Sequence, residues 1–289
     1  MDRNKQSWKF CDEEKEGIVK LWKSGFSTGF IAKKFNCDDD GIRILIKARI
    51  PAKKYKKIAN EHMKKFEERR KLKQIEIPPL SEELGWWVGV IKGDGYLDDI
   101  DYYVKLGVRD KEFRDRWVEI GEKLFSTKAR TNEKIRDNRP FYEGQFNSKL
   151  LIIYLKENFG KFGRYVWDIP GNIKNKPKII FSFLKGLFDS EGSIKFYPRK
   201  MGTVVSLVSV NKKSIFQIER ILKKFGINCR IKLYRRKDRK NDYYIIYIGG
   251  FYNISKFSKY INFSIKRKRN KLSNYLNYIM LGEDDIDAD

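Results

Sequence analysis

Apolar residues recur along this chain with two periods, one helical and one of strands. Between residues 12 and 48 the apolar positions Ile18, Leu21, Phe26, Ile31, Ala32, Phe35, Ile42 and Leu45 fall at helical spacing, which predicts three short helices around a small core. Residues 52 to 76 are densely charged and weakly apolar, and Pro78-Pro79 stops any helix there. From Leu80 onward helical and alternating segments succeed one another. An apolar run, Gly85 to Gly95, leads into a strand-like Tyr102 to Val108 and an amphipathic helix, Lys111 to Phe125. A basic alternating strand, a second strand (Phe141 to Asn147) and a helix (Lys149 to Phe159) follow. The order then returns: Ser182 to Gly192, Thr203 to Val210, Lys212 to Phe225, a basic strand from Arg230, Tyr243 to Ile248, and Ile254 to Ile261. The expected fold class is α+β, one unit written twice. The expected divisions are a three-helix domain over 1–50, a basic linker helix over 51–79, repeats over 80–172 and 173–280, and an acidic tail over 281–289.

The repeat is sharpest at an offset of 97 residues, where Gly85, Gly89 and Gly93 fall on Ser182, Gly186 and Ser190. Asp94 then falls on Glu191, and Gly95 on Gly192. Small residues at every fourth position lie along one helix face, so two such helices can pack with their backbones nearly touching. Each stripe stops at an acid followed by Gly, a residue that ends helices at the C′ position. A carboxylate in the last helical turn is repelled by the dipole, and two brought together at a pseudo-twofold axis repel each other as well. A divalent cation would compensate both. For one copy alone, close packing would explain the glycines; two copies in register favour chemistry.

Composition narrows that chemistry. The 289 residues include 63 Lys and Arg against 38 Asp and Glu, a formal charge of +25, which points to a polyanionic partner. No apolar run is long enough to span a membrane. Three scattered cysteines and no signal-like start imply a reducing, cytoplasmic setting. His62 is the single histidine. That excludes a Cys/His zinc site and leaves carboxylates as the metal ligands, which select hard ions such as Mg²⁺ or another divalent cation.

The stretches Trp87-Val-Gly-Val-Ile-Lys-Gly-Asp-Gly95 and Leu184-Lys-Gly-Leu-Phe-Asp-Ser-Glu-Gly192 resemble the paired signature of the LAGLIDADG homing endonuclease family in its single-chain, two-motif form. The resemblance covers about Leu80 to Tyr278. It implies two pseudo-symmetric αββαββα repeats with saddle-shaped antiparallel sheets, joined along the motif helices, in a monomer. It also implies a site-specific endonuclease cutting both strands of a long double-stranded DNA target, with Asp94 and Glu191 binding the divalent ions that activate water. The scaffold's other use, as an inactive DNA-binding regulator or an RNA-splicing maturase, is the alternative. The family also uses a lysine near each scissile phosphate. Lys268, in Lys266-Arg267-Lys268-Arg269, and Lys176, its counterpart in the matching tetrapeptide of the first copy, are the candidates; a solvated basic loop is the competing reading. The chain begins with neither Cys nor Ser and ends without His-Asn, so it is not expected to be an intein.

On the second copy, Arg230, Lys232 and Arg236 share one strand face with Tyr234, and Lys195 lies near the motif. On the first, Lys128, Arg130, Asn132 and Lys134 alternate similarly, and Gln145 and Asn147 extend the face. Such a ribbon fits the major groove, where these residue types read base edges. The N-terminal block resembles a helix-turn-helix of resolvases and small regulators, although Asp38-Asp39-Asp40 at the start of its third helix argues against base contacts there.

Overall fold

Breaks between the N-terminal helices are set by side chains that accept the first backbone amides. Cys11 and Glu14 cap α1 (Asp12–Lys23) reciprocally, Ser27 caps α2 (Thr28–Lys34), and Asp38 caps α3 (Asp39–Arg49) through Gly41 N at 2.6 Å. Gly25, at φ +97°, makes the left-handed turn that separates α1 from α2. The structure is a computed structural model; it describes residues 10–71, 75–197, 202–235 and 242–281, and the chain divides into units of residues 1–70 and 71–289.

In the first unit Ile18, Trp22, Ile31, Ile42, Leu45 and Ile46 form the core. Phe26, expected in that core, is instead 43% exposed and stacks on the exposed Phe30 with ring centroids 5.0 Å apart. The helix α4 (Ala52–Lys71) begins as a fourth element of this unit rather than as a linker. Its Tyr55 stacks on Trp22 at 4.8 Å, His62 meets the same ring edge-on, and Ile58 and Ala59 pack on the core.

The second unit holds the two repeats around one continuous core. The first contains α5 (Glu82–Asp94), β1 (Gly95–Asp98), β2 (Tyr103–Val108), α6 (Lys111–Phe125), β3 (Arg130–Arg136), β4 (Arg139–Asn147) and α7 (Lys149–Phe159). The second contains α8 (Pro177–Glu191), β5 (Gly192–Tyr197), β6 (Gly202–Ser209), α9 (Lys212–Lys224), β7 (Arg230–Tyr234), β8 (Tyr243–Gly249), α10 (Phe251–Tyr260) and α11 (Lys266–Leu281). Each sheet is antiparallel, in the orders β1-β2-β4-β3 and β5-β6-β8-β7, so each motif helix feeds straight into an edge strand. Asp137 and Asn138, both at positive φ, close the β3–β4 hairpin with the backbone of a two-residue turn that suits strand twist.

On the inner face of the first sheet, Val104, Leu106 and Phe146 alternate with outward polar residues; Val205, Leu207, Ile246 and Ile248 line the inner face of the second. The strand β1, directly after Asp94, has four residues and is too brief for its alternation to stand out in the sequence. Of the acidic tail, only Leu281 lies within the described residues.

Candidate active site and nucleic-acid faces

Helices α5 and α8 meet along the small-residue stripes. A Cβ placed on Gly89 would sit 2.1 Å from the Phe183 carbonyl oxygen, and one on Gly186 would sit 2.3 Å from that of Trp86. At Gly85 the nearest atom is the Ile179 carbonyl oxygen at 2.9 Å, and at Gly93 it is Ser190 Cβ at 2.5 Å. The serines that replace glycines in the second stripe donate across the seam. Ser182 Oγ donates to Glu82 O at 2.7 Å, and Ser190 Oγ reaches Val90 O at 3.4 Å. Backbone-to-backbone contact of this kind leaves no room for a methyl group at the centre.

Both helices end at the acids. Glu191 Cγ lies 3.5 Å from the position of a Gly93 Cβ, one residue before Asp94. Each carboxylate keeps an open side to solvent while protein atoms crowd the other sides. That crowding raises Asp94 above the usual carboxylate range, with the Lys268 ammonium opposing it. Glu191 is pushed up to about 7, first by desolvation and then by the Asp94 charge, against the pull of Arg164 and Lys268. Two hard oxygen donors held together with their charge suppressed fit a divalent cation. Among the described residues no cluster of three or more His, Cys, Asp or Glu is present, so such an ion would complete its shell with water and ligand oxygens.

The glycines after the acids do not act through left-handed backbone. Gly95 and Gly192 are extended, at φ −81° and −83°. Space is what excludes a side chain: a Cβ would lie 2.5 Å from Ile91 Cα or 2.4 Å from the Phe188 carbonyl oxygen.

The two candidate lysines part company. Lys268, in the first turn of α11, is 5% exposed and donates to the carbonyls of Phe188 (3.0 Å), Asp189 (2.6 Å) and Gly192 (2.6 Å). It therefore caps the C-terminus of α8, where a cation also offsets the helix dipole. Burial lowers it to about 8. Lys176 is the N-cap residue of α8, at the end opposite Glu191. At about 1.5 Å per residue the helix separates the two by roughly 22 Å. Lys176 does not flank the acids, because in the first copy the tetrapeptide runs directly into the next motif helix, whereas in the second it opens α11.

Beneath the acids lie two buried anchors, at matching positions of the two motifs. Lys92, 4% exposed, donates to Phe159 O (2.8 Å) and Lys161 O (2.6 Å). At the matching position Asp189, 1% exposed, accepts from Trp86 Nε1 and Ser264 N (each 2.8 Å), from Ser264 Oγ and from Ile265 N. Arg164, exposed and in electrostatic reach of Glu191, was missed; it lies in a turn region with no periodicity to mark it.

Arg130, Asn132 and Lys134 lie exposed on β3, and Gln145 and Asn147 lie half-buried on β4, with Gln145 Nε2 donating to Asn147 Oδ1 at 3.1 Å. Arg130 pairs with Gln145, which pairs in turn with Lys105 of β2, a cation the sequence reading passed over. Lys134 and Lys105 both contact Glu143, at 2.8 and 2.7 Å. Burial pushes that carboxyl up, but the two ammoniums together hold it below its usual range. Lys128 precedes β3 and pairs with Glu122 at 2.6 Å. Arg230, Lys232 and Tyr234 share the outer face of β7, and Lys195 is exposed on β5. Arg236 lies outside the described residues.

Residues 178–262 match the family model of the LAGLIDADG-like domain. That stretch of the second repeat is a LAGLIDADG-like domain. It is 30% identical over 195 residues to the replication factor C small subunit of Methanocaldococcus jannaschii, covering 66% of this chain but 10% of that protein. It is 28% identical to an uncharacterized protein of the same organism, covering 71% of this chain and 75% of the relative. The chain thus spans about a tenth to a sixth of the first curated relatives it matches. Among solved structures it is similar to the homing endonuclease I-DmoI in complex with DNA and Ca (TM-score 0.49, 18% identity, 68% of this chain and 98% of that one). It is also similar to full-length DUF199/WhiA from Thermatoga maritima (TM-score 0.48, 17% identity, 71% and 63%). No helix among the described residues is long and apolar enough to cross a membrane.

Proposed function

We propose that this chain is a divalent-metal-dependent homing endonuclease that hydrolyses phosphodiester bonds on both strands of a long duplex target. The reading rests chiefly on Asp94 and Glu191, two crowded, partly neutralised carboxylates ending helices that touch backbone to backbone. A bound Mg²⁺ would supply an activated water and neutralise the phosphate. Asp94 and Glu191 would hold it through their carboxylate oxygens, Glu191 in its deprotonated form. Lys268 fixes the last turn of α8, and so the backbone that carries Glu191. Arg164 offers a guanidinium to a phosphate oxygen beside the acids. The outer faces of the two sheets enter the major groove with Arg130, Asn132, Gln145 and Asn147 on one and Lys195, Arg230, Lys232 and Tyr234 on the other.

The N-terminal unit adds a helix-turn-helix contact through α2 and α3. The acids at the start of α3 are satisfied within the helix: Asp38 caps it, and Arg43 pairs with Asp39 (2.7 Å) and Asp40 (3.2 Å). A binding-only regulator is the second reading, favoured by the presence, among the described residues, of just two carboxylates where a third would hold metal more firmly. Asp94→Asn and Glu191→Gln separate the two. Each substitution is expected to abolish double-strand cleavage of a bound duplex while leaving affinity within a few-fold, since the metal serves chemistry more than docking. A variant that still cuts at the wild-type rate overturns the assignment.

A further inference from the structure

The two sheets present different chemistry at matching rows. Across the first, Lys105, Gln145 and Arg130 stand side by side on the outer face, with Asn132 and Asn147 one row away on either side. Across the second, the row holding Ser193, Ser206, Tyr247 and Arg230 is followed by Val208, Ile245 and Lys232. Where the central strands of the first sheet carry Tyr103, Gly107 and Glu143, those of the second carry Val204, Val208 and Ile245, which face outward and remain partly accessible. The polar groups within this strip engage one another. The Ser193 and Ser206 hydroxyls lie 2.8 Å apart, as do those of Tyr234 and Tyr247. Exposed cations remain on the two outer strands, Lys195 on β5 and Arg230 with Lys232 on β7.

An apolar strip between two cationic borders is complementary to a groove whose walls are phosphate and whose floor is apolar. In duplex DNA only thymine presents an apolar group, its 5-methyl, to the major groove. We propose that the second sheet reads thymine methyl groups through Val204, Val208 and Ile245, so that the target is asymmetric: one half A·T-rich and read by apolar contact, the other read by hydrogen bonds from the first sheet. This rests on the reading of the chain as a duplex-DNA binder.

Deoxyuridine, which pairs like thymine and lacks only the methyl, supplies the test. A duplex is selected from a randomised library by binding to the full chain, then remade with deoxyuridine for thymine in one half or the other. Burying two or three methyls should make the replacement cost about tenfold in affinity in one half, and less than about twofold in the half whose binding is weakened by Gln145→Ala. Ile245→Ser should lower affinity for the thymine duplex and flatten its difference from the deoxyuridine one. Equal, small effects in both halves, with tight duplex binding intact, overturn the thymine assignment alone. Failure to select any duplex, or preference for single strands of the same composition, overturns the underlying reading and the assignment with it.

Discussion

In the first repeat the motif helix is anchored by a donor, Lys92, on two carbonyls at the end of α7 and just past it; in the second the same position is an acceptor, Asp189, on the amides of Ser264 and Ile265 beyond α10. Donor and acceptor are exchanged and the task is the same, because each anchor answers the backbone dipoles that its own loop presents. Along the α5–α8 seam no such freedom exists. Gly89 and Gly186 occupy equivalent places and each abuts a carbonyl oxygen of the other helix. The repeats therefore match at the centre of the seam, where Gly89 and Gly186 meet backbone, and diverge around it, where Ser182 and Ser190 stand for Gly85 and Gly93 and Asp189 stands for Lys92.

Filling the seam is the strongest way to break this comparison. Gly89→Ala and Gly186→Ala should each cost about 3 kcal/mol or more, because the obstacle is backbone that cannot move aside. Gly17→Ala and Gly29→Ala, in helices of the first unit with nothing within 4 Å, should instead gain up to about 1 kcal/mol from helix propensity. Denaturant midpoints measure all four, and an unchanged midpoint for Gly89→Ala would refute the seam as described.

The anchors come next. Lys92→Met should cost about 2 kcal/mol by leaving two buried carbonyls without a donor. Lys92→Asp should cost more, since it sets a carboxylate against those carbonyls although the other repeat carries an aspartate there. Equal stability of Lys92→Asp and wild type would show that the loop dipoles do not select the charge.

The smallest effect is electrostatic. Glu191 in the folded chain lies at about 7 against an ordinary 4.5, so its stabilising contribution is full below the ordinary value and is lost as pH rises through 7 without metal. Glu191→Gln cannot ionise. At about pH 8 in EDTA it should exceed wild type by about 1 kcal/mol, a figure reduced from the full shift because the carboxylate is open to water. The gain should vanish at about pH 4, and Mg²⁺ should shrink it by stabilising wild type. Thermal melts at the two pH values check the sign.

Much of this molecule was legible in its sequence because the fold is written twice. Period and order gave the helices from Lys111 and Lys149 and the strands at Tyr103 and Tyr243. The overlay of Gly85, Gly89 and Gly93 on Ser182, Gly186 and Ser190 pointed to a seam that the structure contains. What escaped lies where repetition fails. Lys176 was matched to Lys268 by a tetrapeptide, yet different elements follow the two copies, and they stand at opposite ends of α8. Lys92 holds backbone carbonyls, which leave no residue signature, and the partners of Asp189, Trp86 and Ser264, lie 103 and 75 residues away in the chain. Phe26 lies in a helical pattern but on a turn, and so faces solvent.

The most direct test of the acid pair as a nuclease centre is strand-break counting on a duplex the chain binds, with Mg²⁺ titrated from an EDTA-treated start. The account predicts no breaks in EDTA and breaks on both strands as Mg²⁺ is restored, with fewer at low pH where Glu191 holds its proton. Tight binding without a single break at any Mg²⁺ or Mn²⁺ concentration would contradict it and leave a DNA-binding protein on a nuclease scaffold.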